Sequence, residues 1–305
     1  RGRLAFEIGS HEEVKVAELD AIIAHTQRKR ALREERVSLD ELKRACESVP
    51  DPLRHPDEYL RSDGATSVIA EIKRASPWGV YSDIEDPTPL AQAFERGGAA
   101  MLSVVTESSL FNGSYEDLSR VRAATELPLI CKDIILSAYQ LFEARRAGAD
   151  AVLLIAQFLS QPALEGLLER AQSLGMSVLV ETHSRLDALR ALEAGAVMIG
   201  VNARDLSTGV VDRHVIDEVI DVIPTNVLAI AESGVRGPRD VFEYARAGAD
   251  AVLVGESLMR SDLPEELVAE MVSAGHHPSL LADRRMRVRA AHKGADGTWN
   301  DNRLE

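Results

Sequence analysis

Apolar residues run along this chain in two rhythms, and the rhythms divide it. From Val14 to about Arg36 they recur at helical spacing, at Val16, Leu19, Ile22, Ile23 and Leu32, amid many charges. Ser38-Leu-Asp-Glu41 is a capping-box pattern and predicts a second short helix through Cys46. Pro50, Pro52 and Pro56 then break the chain. Beyond them, short apolar runs alternate with helix-patterned segments. The runs predict strands at Val68–Ile72, Met101–Val105, Leu127–Lys132, Ala151–Ile155, Ser177–Glu181, Val197–Asn202, Val227–Ala231 and Ala251–Gly255. Most are continuously apolar, as parallel strands covered on both faces should be.

The alternation carries an internal repeat. Four times a helical pattern closes on Gly, then Ala, then an apolar strand: Phe94-Glu-Arg-Gly-Gly-Ala99, Ala144-Arg-Arg-Ala-Gly-Ala149, Ala191-Leu-Glu-Ala-Gly-Ala196 and Ala245-Arg-Ala-Gly-Ala249. The glycines Gly98, Gly148, Gly195 and Gly248 lie 50, 47 and 53 residues apart. A glycine there can turn left-handed without steric cost and so stop a helix before a strand. Eight strand–helix units of this kind predict an α/β fold, a (β/α)8 TIM barrel with an extra N-terminal helical segment. A doubly wound dinucleotide-binding sheet would show a Gly-rich turn after its first strand, and none is present. The expected division is a helical extension over the barrel mouth (1–50), the barrel (51–272) and a tail (273–305) of unassigned role. In the tail, Arg284-Arg-Met-Arg-Val-Arg289 reads as solvated, and His276–His277 lack further ligands at metal spacing.

Composition narrows the function. The 305 residues are 45% hydrophobic, enough for a sizeable core. A formal charge of −14 argues against a nucleic-acid surface and means that an anionic ligand needs a local basic pocket. Two cysteines, Cys46 and Cys131, make no disulfide framework, so a reducing cytoplasm is expected. No apolar run reaches the roughly 18 residues of a membrane span, and no charged-then-apolar leader is visible.

The chemistry collects at strand ends. In Ser67–Pro77 the alternation of a strand puts Ile69, Glu71 and Lys73 on one face, and charges on an apolar strand are costly to bury unless paired. In a barrel the site lies at the C-terminal strand ends. Those ends carry Glu71 and Lys73, Lys132 and Asp133, Glu181, Asn202 with Arg204, Glu232-Ser233-Gly234, and Gly255-Glu256-Ser257. One such residue reads as a surface ion pair; a whole set converging on one mouth reads as a site. The last two groups follow strands seven and eight, where many barrels bind phosphate on backbone N–H groups. Lys73, Lys132 and Arg204 would supply positive potential.

Over about residues 14–272 these stretches resemble the indole-3-glycerol phosphate synthase family. The resemblance rests on Ile69-Ala-Glu-Ile-Lys-Arg-Ala-Ser-Pro77, Phe111-Asn-Gly-Ser114, Cys131-Lys-Asp133, Leu179-Val-Glu181, Ile199-Gly-Val-Asn-Ala-Arg-Asp-Leu206, Ala231-Glu-Ser-Gly234 and Val254-Gly-Glu-Ser-Leu-Met259. It implies a carboxy-lyase of tryptophan biosynthesis acting on a phosphorylated small molecule, without metal or organic cofactor and without nucleic-acid or membrane partners. A monomer is compatible with it. By that resemblance Lys132 is the general acid for ring closure. Glu181 assists later proton removal or stabilises a cation, Glu71 and Lys73 serve dehydration and the substrate carboxylate, and Asn202 stands beside the sugar. Ser76, Phe111, Arg204 and Ser233 would position substrate; Ser233, Gly234, Gly255 and Glu256 would hold phosphate.

Three positions depart from the family's usual pattern: Trp78 for Ser, Ile134 for an aromatic residue, and Ala203 for Asn or Ser. The first two flank the expected place of the substrate's aromatic ring, where one aromatic surface is lost and another gained. Another phosphate-sugar barrel enzyme, such as phosphoribosylanthranilate isomerase, would need an inward Cys, whereas alternation turns Cys131 outward if Lys132 points in. A non-catalytic paralogue would be expected to lose charges such as Glu71, Lys132 and Glu181, and all are present.

Overall fold

In the computed structural model, residues 11–49, 54–61, 64–280, 292–293 and 299–300 are described. Eight parallel strands close into a barrel: β1 (Ser67–Ile72), β2 (Met101–Val105), β3 (Leu129–Lys132), β4 (Ala151–Ile155), β5 (Ser177–Thr182), β6 (Met198–Asn202), β7 (Leu228–Glu232) and β8 (Ala251–Val254). Each pairs with its sequence neighbours, and β1 pairs with β8, Ser67 opposite Ala251, to close the ring. The expected barrel is therefore present. Leu127, Val197 and Val227 lie just outside the strands assigned to them, in the turns that lead in.

The period of two sorts side chains into two layers. Ile69, Met101, Ile130, Leu153, Leu179, Met198, Ile230 and Leu253 fill the barrel. Val68, Ala70, Ile72, Cys131, Val152 and Val180 point outward to the helices. Cys131 does face out, and Lys132 in. Gly98, Gly148, Gly195 and Gly248 all have φ between +85° and +104°, so the four repeated helix stops use the left-handed conformation only glycine takes freely.

The helical preface is α1 (His11–Glu34) and α2 (Leu39–Glu47). At the start of α2 the Glu41 N–H donates to Ser38 Oγ at 3.3 Å, and the Ser38 N–H donates back to Glu41 Oε2 at 2.7 Å. Such a cap is worth about 1 kcal/mol. The preface is fixed to the barrel wall through α3 (Ala138–Arg146): Arg33 makes a two-pronged bond to Glu143, and Leu42 is buried against Tyr139 and Phe142. Ile22 of α1 reaches the mouth and lines its cavity. The last described helix, Pro264–Gly275, packs into the outer layer through Val268 and Met271, and its Gly275 O accepts from the Thr66 N–H at 2.9 Å just ahead of β1. His276 and His277 are taken up locally, by Val272 O and Ser279 Oγ. The Arg284–Arg289 cluster lies outside the described residues.

Candidate active site

The C-terminal strand ends surround a cavity of about 670 Å³. Its floor is a cluster of five charged side chains from four strand ends. Lys132 Nζ lies 3.0 Å from Glu232 Oε2, 3.2 Å from Glu181 Oε2 and 3.9 Å from Glu71 Oε1. Lys73 Nζ lies 2.8 Å from Glu71 Oε2. Asn202 Nδ2 donates to Glu181 Oε1 at 3.1 Å, while its Oδ1 accepts from Ser233 Oγ at 2.8 Å. Asn202 thereby locks Glu181 to the turn after β7.

Two glycines make room for the carboxylates. A Cβ on Gly200 would stand 1.9 Å from Glu232 Oε1, and one on Gly255 would stand 2.5 Å from Glu71 Oε2. Gly255, expected at the phosphate, thus also clears the way for Glu71.

Three carboxylates nearly inaccessible to water face two partly buried ammonium groups, leaving one negative charge in excess unless an acid stays neutral. Burial pushes Glu232 up to about 8, assisted by the neighbouring Glu181 charge and opposed by Lys132. Burial also acts to raise Glu71 and Glu181, but Lys73 with Lys132, and Lys132 with His183, outweigh it and leave both below the usual range. Burial acts to lower Lys132; Glu232, Glu181 and Glu71 overcome it and hold the ammonium well above its ordinary value. The extra proton belongs to the Glu181–Glu232 pair, mostly on Glu232. Glu232 stood among the strand-end groups in the sequence but not in the candidate catalytic set, and the structure brings it to within hydrogen-bond reach of Lys132.

Each remaining candidate lines the same cavity. Ser76 Oγ meets the Tyr81 hydroxyl at 2.5 Å. Phe111 stands on the β2 loop, which Arg74 fastens to the β1 loop by bonds to Asp117 and to the Asn112 and Ile84 carbonyls. Ser233 and Gly234 have φ of +67° and +76°. A serine there is strained and is held by Asn202 and by the Tyr244 hydroxyl, which donates to Ser233 O at 3.1 Å. A side chain at Gly234 would meet that hydroxyl at 2.8 Å.

Arg204 donates to Gly209 O at 3.0 Å and to Glu256 Oε2 at 3.2 Å, with its guanidinium 5.2 Å from the centre of the Trp78 ring. The Glu256 carboxylate is held between Arg204 and Arg260, so of its groups only the backbone N–H suits a phosphate. Trp78 and Ile134 both line the cavity, as expected, whereas Ala203 turns into the outer core. Arg213, which no motif announced, also lines it, paired with Asp240 and lying over Tyr244.

Fold and cavity together define a (β/α)8-barrel enzyme with a buried acid–base cluster at the floor of its mouth. Residues 19–271 match the family indole-3-glycerol phosphate synthase. Proteins of that name from Mycolicibacterium smegmatis and Parafrankia sp. are 53% and 50% identical over 262 residues, 86% of this chain and 96–97% of theirs. The Mycobacterium leprae protein is 51% identical over the same share of this chain. The chain belongs to the indole-3-glycerol phosphate synthase family. Among solved structures, a thiamine phosphate pyrophosphorylase from Pyrococcus furiosus shares the fold (TM-score 0.55, 16% identity, 70% of this chain and 96% of that one). So does the Clostridium perfringens N-acetylmannosamine-6-phosphate 2-epimerase (TM-score 0.52, 14% identity, 69% and 93%).

Proposed function

We propose that the cluster around Lys132 carries out the family's ring closure, with Lys132 as the general acid. As a family member the chain is a carboxy-lyase of tryptophan biosynthesis. It converts 1-(2-carboxyphenylamino)-1-deoxyribulose 5-phosphate to indole-3-glycerol phosphate with loss of CO2 and water. The observation that carries the assignment of roles is the Lys132 ammonium, held between Glu232 and Glu181 at the cavity floor.

Ring closure joins the ring carbon bearing the carboxylate to the ketose carbonyl carbon. The carbonyl oxygen gains the displaced electron pair and needs a proton. Lys132 is charged throughout the physiological range, so the acid is always loaded, and it donates as the oxygen approaches an alkoxide. Its proton is then restored by Glu232, which is mostly protonated at neutral pH. Loss of CO2 returns the carbon–carboxyl electron pair to the ring. Dehydration then expels the former ketose oxygen as water and removes a proton from the neighbouring carbon. Glu181, ionised and steadied by Asn202, stabilises the cation and takes that proton. Lys73 holds the substrate carboxylate before it leaves, and Glu71 assists the dehydration.

At the other end, the N–H groups of Ser233, Gly234, Gly255 and Glu256 cradle the phosphate, and Arg204 supports it from the rim. Ser76 and Phe111 position the rest of the substrate. The helical preface acts as a wall of the mouth through Ile22. A cytoplasmic location belongs to the same reading, supported by the unpaired Cys46 and Cys131. Mixing the purified protein with the carboxyphenylamino-deoxyribulose phosphate tests the function. Indole fluorescence should grow with one CO2 released per product; a folded protein giving neither would overturn it.

A further inference from the structure

Behind the cluster lies a side chain that the proposed mechanism does not use. His183 follows β5, its side chain only 8% exposed and absent from the cavity lining. Neither of its ring nitrogens has a hydrogen-bond partner, an unusual state for a buried imidazole. Its Nε2 stands 3.4 Å from Glu181 Oε1, short of a bond and close enough to make one with a small ring rotation.

The backbone beneath it is fixed. The His183 N–H donates to Asp187 Oδ2 at 3.2 Å, and Asp187 is itself held by Ser184 at the start of α4 (Arg185–Glu193). The charged group nearest the ring is Glu181, which Lys132 also faces at 3.2 Å and whose charge bears on Glu232. Asp187 is paired with Arg190 on α4 and accepts from Gln157 of the β4 turn, and Asn202 of β6 donates to Glu181. Asp187 is committed to Ser184, the His183 backbone and Arg190, which leaves Glu181 as the acceptor within reach.

We infer that His183 is a positioning residue for Glu181, its Nε2–H closing onto Oε1 when substrate fills the mouth and holding the carboxylate turned toward the reacting carbons. The inference rests on Glu181 acting as proposed above. With Asn202 on the same oxygen and Lys132 on the other, His183 completes a set of three donors around one base. A donor on Oε1 favours the ionised carboxylate. Losing it therefore moves the acid limb of the rate to higher pH.

The test compares kcat and KM across pH for wild type, His183→Leu and His183→Gln. His183→Leu should lose about tenfold in kcat, the worth of one hydrogen bond to a charged group, with its acid limb about one pH unit higher and KM within about twofold. His183→Gln, which keeps a donor and cannot titrate, should bring the limb back and restore most of kcat. An acid limb shared by wild type and His183→Leu would overturn the inference, as would equal impairment of the two variants. If His183→Leu does not fold, His183→Asn replaces it, an amide too short to reach Oε1. A silent wild type would count against the proposed function instead. The inference then stands or falls on imidazole 15N NMR, where Glu181→Gln should shift the His183 Nε2 signal and an unmoved signal refutes the contact.

Discussion

Glu232→Gln is the most informative single change, because it replaces a carboxyl held near neutrality with an amide of the same shape. In the fold Glu232 is pushed up from 4.5 to about 8. Between those values the native protein keeps a proton that the unfolded chain has released. Stability from this group is therefore full below the lower value and is lost as pH rises through the upper one. At 1.36 kcal/mol per pH unit the loss is about 3 kcal/mol by pH 7 and about 5 kcal/mol above pH 8. These are ceilings, because Glu181 shares the proton. The amide cannot ionise, so Glu232→Gln should match wild type near pH 5 and exceed it increasingly toward pH 8 in urea melts. Catalysis should move the other way: an amide cannot restore the proton of Lys132, so kcat should fall about 10- to 100-fold. A stability difference that stays flat from pH 5 to pH 8 would refute the neutral Glu232 on which the proton accounting depends.

Other changes probe the surroundings of the cluster. Gly200→Ala places a Cβ against Glu232 Oε1 and should cost about 1–3 kcal/mol with a marked loss of kcat, read by melts and turnover. Trp78→Ser removes an aromatic wall of the cavity and the face over which Arg204 lies, so KM should rise several-fold; an unchanged KM would place Trp78 outside the substrate's reach. Gly209→Ala puts a methyl 2.2 Å from Trp78 Nε1 at φ +72° and should weaken substrate binding in the same direction as Trp78→Ser, checked by the same kinetics.

Much of this was legible in the chain because strand alternation and glycine stops are local. Ile69, Glu71 and Lys73 share a face through a period of two, and the outward turn of Cys131 follows from the inward turn of Lys132. The four Gly-Ala stops announced the repeating unit before any contact was known. The convergence of Glu232 on Lys132 was not legible, since it depends on barrel register. Asn202 sits opposite Glu232 and Ile155 opposite Glu181, and only the closed ring brings residues 71, 132, 181 and 232 together. The same limit hid Arg213 and His183. Neither belongs to a spaced motif, and what distinguishes them is a partner: Tyr244 in one case, and in the other a carboxylate just out of bonding reach. Glu256 shows the converse, a residue placed correctly at the mouth whose carboxylate is turned to Arg204 and Arg260.

The role of Lys132 is tested most directly by single-turnover fluorescence on wild type and Lys132→Met, both first shown to be folded. Removing the ammonium should slow formation of the indole at least about a thousandfold, since both proton donation and charge stabilisation are lost. Turnover by Lys132→Met within tenfold of wild type would contradict the assignment of Lys132 as the acid.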